Sequence, residues 1–156
     1  YIHIKLVMKM RLTVQSDYAL RAMMYLAVRT ERLATVAGIS DHYGVSRNHM
    51  TKVLHHLVLG GFVESVRGRS GGVRLAAPAD QIFVGQIVRY LEAEGALVEC
   101  FRSDGGDCLL SSDCRLKLVL AEAVEGFYGV LDRYSIQSLL SHDGALLTLL
   151  SDGETG

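Results

Sequence analysis

The 156-residue chain contains no tryptophan, a single proline and only three cysteines. So little proline excludes Pro-rich linkers, and 16 glycines without a three-residue period exclude a collagen-like rod. Most all-β sandwiches, with their many Gly- and Pro-marked turns, fit poorly as well. No apolar run reaches the roughly 18 residues that a membrane-spanning helix needs. The opening YIHIKLVMKM lacks the apolar core and small-residue cleavage site of a secretory leader. An odd number of cysteines also argues against a secreted disulfide scaffold. The expectation is a cytoplasmic protein with no membrane partner. What is present suffices to fold: 49% of residues are hydrophobic and 21% charged, as in globular chains. The length suits one domain, or a small domain with an appendage.

The formal net charge of −1 conceals an asymmetry. Residues 1–95 carry 12 Lys and Arg against 7 Asp and Glu, whereas residues 96–156 carry 4 against 10. A basic half suits contact with a polyanion. Charge alone leaves chance clustering as an equal reading, and the motifs decide between them.

Leu20, Met23, Met24 and Ala27 recur at helical spacing within residues 16–29. Ser16 is the expected N-cap there, and Asp17 sits where a negative charge favours the helix dipole. A second short helix is expected over 37–43, stopped by Gly44. Ser46 then caps a third. Its Met50, Val53, Leu54, Leu57 and Val58 form one apolar stripe, and Gly60 and Gly61 end it. Arg47, Asn48, Thr51, Lys52 and His55 occupy the opposite face. Two helices around a tight Gly turn, the second polar and basic on its free face, describe a helix-turn-helix. Strand-type residues at 62–66 and 73–75 flank Arg67-Gly68-Arg69-Ser70-Gly71-Gly72, a hairpin with an arginine- and glycine-rich tip. A helix-turn-helix followed by such a hairpin is a winged helix. Another short helix is expected over 84–92. Beyond it, Leu116, Leu120, Ala123, Phe127, Val130 and Tyr134 fall on a heptad seam, within a long helix from about 112 to 134.

The recognition-helix pattern points to double-stranded DNA. Arg47 stands in the helix's first turn, which usually meets base edges, with Asn48, Thr51, Lys52 and His55 along the same face. Arg67 and Arg69 at the wing tip suit a minor groove or a phosphate. The bland alternative is a solvated helix beside an ordinary hairpin. All three cysteines, Cys100, Cys108 and Cys114, lie within 15 residues of an aperiodic loop. Thiolates ligate iron–sulfur clusters and structural zinc. Seven and five intervening residues are wider than the usual zinc knuckle and favour a cluster. Zinc in a structural or interaction module, or a thiol–disulfide switch, remains open at this point. Asp17, on its residue type alone, is an acid at a helix start. A cysteine-nucleophile enzyme would need a paired His and carboxylate motif, and none is present.

The runs MRLTVQSDYALRAMMYLA, GVSRNHMTKVLHHL, GFVESVRGRSGGVRLA and ALVECF, with the three-cysteine loop, resemble the Rrf-type winged-helix repressors over roughly residues 10–140. The likeness is to the nitric-oxide-sensing branch. It implies a homodimer on a near-palindromic operator, with an iron–sulfur cluster of 4Fe–4S or 2Fe–2S type and nitric oxide as effector. It further implies that Cys100, Cys108 and Cys114 are cluster ligands and that Asp17 of the opposite subunit completes the set. Another branch carries a histidine three residues after its third cysteine; here that position is Lys117. The first cysteine gap, which includes residues 102–107, is two residues longer than is usual in the family. The resulting expectation is a mainly α fold with a small β-hairpin wing and a long dimerisation helix. Residues 1–9 read as a cloning remnant or extended start, 10–95 as the winged-helix DNA-binding domain and 96–115 as the cluster-binding loop. Residues 116–140 read as the dimerisation helix and 141–156 as a weakly determined end. The same fold responding to iron availability or oxidative stress is the alternative function.

Overall fold

The computed structural model describes residues 11–93, 95, 97–98, 101, 114–140 and 144–151. Seven helices and one hairpin follow in the order α1 (Val14–Val28), α2 (Val36–Tyr43), α3 (Arg47–Leu59), β1 (Val63–Val66), β2 (Gly72–Leu75), α4 (Val84–Leu91), α5 (Arg115–Leu131), α6 (Ile136–Leu140) and α7 (Gly144–Ser151) among those residues. The mainly helical chain with a two-stranded wing is the expected fold.

The N-cap of α1 is Thr13, three residues ahead of the expected Ser16. The Thr13 hydroxyl accepts from the Ser16 N–H at 3.2 Å. Ser16 is instead fully buried, and its hydroxyl donates to Glu92 at the end of α4. Thr13 donates to the same carboxylate oxygen, from its N–H at 2.9 Å and its hydroxyl at 2.8 Å. Burial pushes the Glu92 carboxyl up, but the hydrogen bonds from Ser16 and Thr13 outweigh it and hold it below its ordinary value. A residue 79 positions along the chain thus secures the start of α1.

The α2–α3 turn is as expected. Gly44 adopts φ +63, a left-handed conformation that costs a side-chain-bearing residue energy. The Ser46 hydroxyl accepts from His49 N–H at 3.2 Å and caps α3. Met50 and Leu57 are wholly buried beneath α3, with Val53 and Leu54 at 3% exposure. Burying each such side chain contributes roughly 1.5–3 kcal/mol. β1 and β2 pair antiparallel from Val63↔Leu75 to Val66↔Gly72, and Ala34 bridges to Val73 on the free edge of β2. The turn between α1 and α2 therefore braces the wing's base.

The long helix ends earlier than its heptad pattern suggests. α5 stops at Leu131, and the chain turns so that Tyr134 O accepts from Val84 N–H and Ile136 N–H donates to Ile82 O, both at 2.9 Å. Tyr134 lies beyond the helix. Ile136 and Leu140 of α6 and Leu150 of α7 enter the same core as Met23, Met50 and Ile87. The chain after α5 therefore packs back onto α1, including a helix where only a weakly determined end was expected.

Candidate nucleic-acid interface

Arg47, Asn48, Thr51, Lys52 and His55 are all exposed on α3, opposite the buried Met50, Val53, Leu54 and Leu57. This follows from a 3.6-residue period: one stripe holds the helix to α1 and α2, and the other is left to solvent. His56, read from the sequence with His55 as a DNA-facing or surface group, is exposed on the same helix; His49 is exposed there too and was not singled out, although its spacing to Lys52 carried the signal. Thr51 spends its hydroxyl proton on the Arg47 carbonyl at 2.7 Å, leaving it an acceptor. Arg47 Nη2 stands 3.4 Å from Asp41 Oδ2, on the last turn of α2. Arg67 and Arg69 are exposed at the wing tip, on either side of Gly68, whose φ of +125 closes the turn. Lower on the wing, Arg74 pairs with Glu64 across the strands at 2.9 Å.

Of the cysteine ligands proposed by sequence, Cys100 and Cys108 lie outside the described residues. Cys114 is the N-cap residue of α5, half-buried, with its sulfur making no hydrogen bond to the helix it precedes. Sulfur is a soft donor of the kind that ligates iron in clusters. Asp17 stands in the first turn of α1 and pairs with Arg21 one turn on, Oδ2 to Nη2 at 2.9 Å and Oδ1 to Nε at 3.1 Å. Both partners are about half exposed, so the carboxylate is open to solvent. Among the described residues no three His, Cys, Asp or Glu side chains come together to hold a metal ion. An open cavity of about 660 Å³ lies between the start of α1, the segment after α4 and α5. Leu12, Leu97, Phe101, Phe127 and Tyr128 help to line it, and Phe101 is the neighbour of Cys100.

The six seam positions divide. Phe127 packs against the chain's own core and Leu120 is half-buried, whereas Leu116, Ala123, Val130 and Tyr134 are exposed. Val119, at 57% exposure, and Gly126 join Leu116, Ala123 and Val130 in a stripe with alternating steps of three and four. The exposed stripe is thus rotated from the predicted one, because α4 takes the Phe127 side of the helix. There Arg89 Nη1 donates to both Asp132 oxygens at 2.7 Å, and its guanidinium lies over the Tyr128 ring. The Asp132 hydrogen bond is the first cause that raises the Arg89 pKa.

A family model described as Rrf2, iron-dependent transcriptional regulator, matches residues 12–142. The HTH-type transcriptional regulator NsrR of Bacillus licheniformis is 38% identical over 143 residues, which is 91% of this chain and all of the relative. NsrR of Shouchella clausii is 40% identical over 142 residues, 90% of this chain and 95% of the relative. Among solved structures, T. potens IscR superposes with a TM-score of 0.67 at 25% identity, covering 85% of this chain and 87% of the other. The oxidized form of Staphylococcus aureus CymR gives 0.67 at 23% identity, covering 86% and 98%, and supports the fold alone. Among the described residues no helix is long and apolar enough to cross a membrane.

Proposed function

The chain belongs to the Rrf2 family of transcriptional regulators, which are not enzymes, and from that premise we propose that it is a homodimeric repressor whose operator binding is controlled by nitric oxide through an iron–sulfur cluster. The observation that carries the DNA-reading part is α3, capped by Ser46, with Arg47, Asn48, Thr51, Lys52 and His55 exposed opposite a buried stripe. In this reading Arg47 donates to a base edge in the major groove, the neighbouring side chains extend the contact, and Arg67 and Arg69 hold the backbone. The exposed stripe Leu116, Val119, Ala123, Gly126 and Val130 meets its counterpart in a second copy. Two-fold symmetry then sets the half-sites of a near-palindromic operator roughly 34 Å apart.

Cys100, Cys108 and Cys114 would hold the cluster, of 4Fe–4S or 2Fe–2S type, with Asp17 of the opposite subunit as the fourth ligand. When bound, it supplies iron that reacts with nitric oxide. A carboxylate is a harder ligand than a thiolate and leaves one iron more exchangeable. The protein's own part is to place the carboxylate. Glu92 and Thr13 anchor the start of α1, and Arg21 orients Asp17. A ligand set shared between subunits links one subunit's cysteine loop to the other's α1. A change there then alters the relation of the two recognition helices. Cluster occupancy reporting iron supply or oxidative stress is the second reading, favoured by the family's iron dependence.

Anaerobic purification followed by nitric oxide titration tests the proposal. A brown preparation that binds operator duplex and loses at least tenfold in affinity on adding nitric oxide is the expected result. Affinity that responds to iron chelation but not to nitric oxide selects the second reading. A colourless protein with full affinity defeats both.

A further inference from the structure

The helix-turn-helix unit carries one acid. Across residues 36–59 the charged side chains are Asp41, Arg47 and Lys52, with histidines at 42, 49, 55 and 56. Asp41 sits in the last turn of α2, where the helix dipole presents its negative end. An acid there opposes the dipole, so helix stability does not account for its position. Its carboxylate instead points at the recognition helix, Oδ2 lying 3.4 Å from Nη2 of Arg47. Both side chains are about two-thirds exposed, and so open extended pairs contribute little to folding. Stability therefore explains neither the residue nor the contact. What the pair does is fix where Arg47 points and place a negative charge at the surface proposed to meet DNA.

We infer that Asp41 is a specificity-determining residue that acts through Arg47: it orients the guanidinium for a base edge and penalises its capture by phosphate. With Nη2 held, Nε and Nη1 are the donors left for a base, and the side chain enters the groove with less rotamer freedom to lose. On a sequence without the matching base, Arg47 would turn to the nearest phosphate. It must then leave Asp41, whose charge is left facing a polyanion at short range. On the matching sequence Arg47 keeps one donor on Asp41 and gives the others to the base, so the repulsion is offset. The acid thus costs affinity everywhere but costs most on the wrong sequence, which is how a repulsive element builds discrimination. The inference rests on the DNA-reading assignment of α3.

The test compares the full-length chain with Asp41→Asn, which keeps the shape and an acceptor oxygen and removes the charge. The probes are a duplex enriched from a random-sequence pool by the wild-type chain and a scrambled duplex of the same length and composition. Asp41→Asn should bind the scrambled duplex roughly tenfold more tightly at low salt, with the log–log salt slope steeper by about one unit. Binding to the enriched duplex should change less, so the ratio falls several-fold. In an Arg47→Ala background the same substitution should leave the ratio unmoved. An undiminished ratio, with wild-type melting temperature, overturns the inference while leaving α3 as the reading helix. A ratio that falls equally in the Arg47→Ala background shows simple charge repulsion and also overturns it. A wild-type chain that enriches no sequence overturns the DNA-reading premise itself.

Discussion

Replacing Gly85 with Ala probes the junction that joins the winged helix to α5. Gly85 lies in the first turn of α4, and a Cβ built on it overlaps Asp132 Oδ1 and comes within 2.8 Å of Cγ and 3.0 Å of the backbone nitrogen. Asp132 has little room to yield. Both its carboxylate oxygens accept from Arg89 at 2.7 Å, and its N–H donates to the Tyr128 carbonyl at 2.8 Å. At an open helical position Gly→Ala stabilises by roughly 0.5–1 kcal/mol. Overpacking a filled site costs about 1–3 kcal/mol, which is larger, so the sign is destabilising. The net, about 0.5–2 kcal/mol, lowers the melting temperature of a chain this size by on the order of 5 °C. Losing the Arg89 contact adds in the same direction. Thermal unfolding followed by circular dichroism measures it, beside Asp132→Ala and the double variant. With the colliding carboxylate gone, the double variant should melt above Gly85→Ala alone, a coupling that independent sites would not show. A Gly85→Ala chain as stable as the wild type, or strictly additive variants, would refute the close approach on which the reasoning depends.

The remaining expectations concern the cap, the interface and the cluster. Glu92 is held below its ordinary pKa, so its stabilisation is complete above the unfolded value of about 4.3 and is lost as pH falls through the lower folded value. Melting temperature against pH from 7 to 3 should drop there, and Glu92→Gln should flatten that drop. Arg47→Ala should cost about 1–3 kcal/mol in operator binding and blur preference at one base pair. Arg69→Ala should weaken all sequences alike and reduce the salt slope by about one; both are read by fluorescence anisotropy. Val119→Asp should give monomer in sedimentation at micromolar concentration, since pairing would bury an unpaired charge; a stable dimer refutes the rotated stripe. Charge at Phe127 would disturb the chain's own core and so is no test of dimerisation. Asp17→Ala should alter the absorption spectrum of the anaerobic protein if the carboxylate is a ligand. A small fall in melting temperature with an unaltered spectrum would leave it only its place at the helix start.

The recognition helix and the wing were legible because their signals are local. Met50, Val53, Leu54 and Leu57 state a helical period within eight residues, Ser46 and Gly44 mark its start and the turn before it, and the Arg67–Gly68–Arg69 tip follows two short strand-like runs. Each depends on backbone preferences and on alternation between water and core, which neighbouring residues set by themselves. The grouping of Cys100, Cys108 and Cys114 within 15 residues is a matter of sequence alone, and Cys100 and Cys108 lie outside the described residues. Other features were decided by segments far apart in the chain. That Thr13 and not Ser16 caps α1 follows from Glu92, and that α5 ends at Leu131 follows from the strand-like contact of residues 134–136 with 82–84. The heptad pattern of α5 allowed several faces to serve as a seam. Once α4 covered Phe127 and Tyr128 through Arg89 and Asp132, the face through Val119, Ala123, Gly126 and Val130 stayed open. Periodicity states that a helix has an apolar side. Which part of a broad apolar side meets its own chain, and which is left for another, depends on long-range packing that no local window contains.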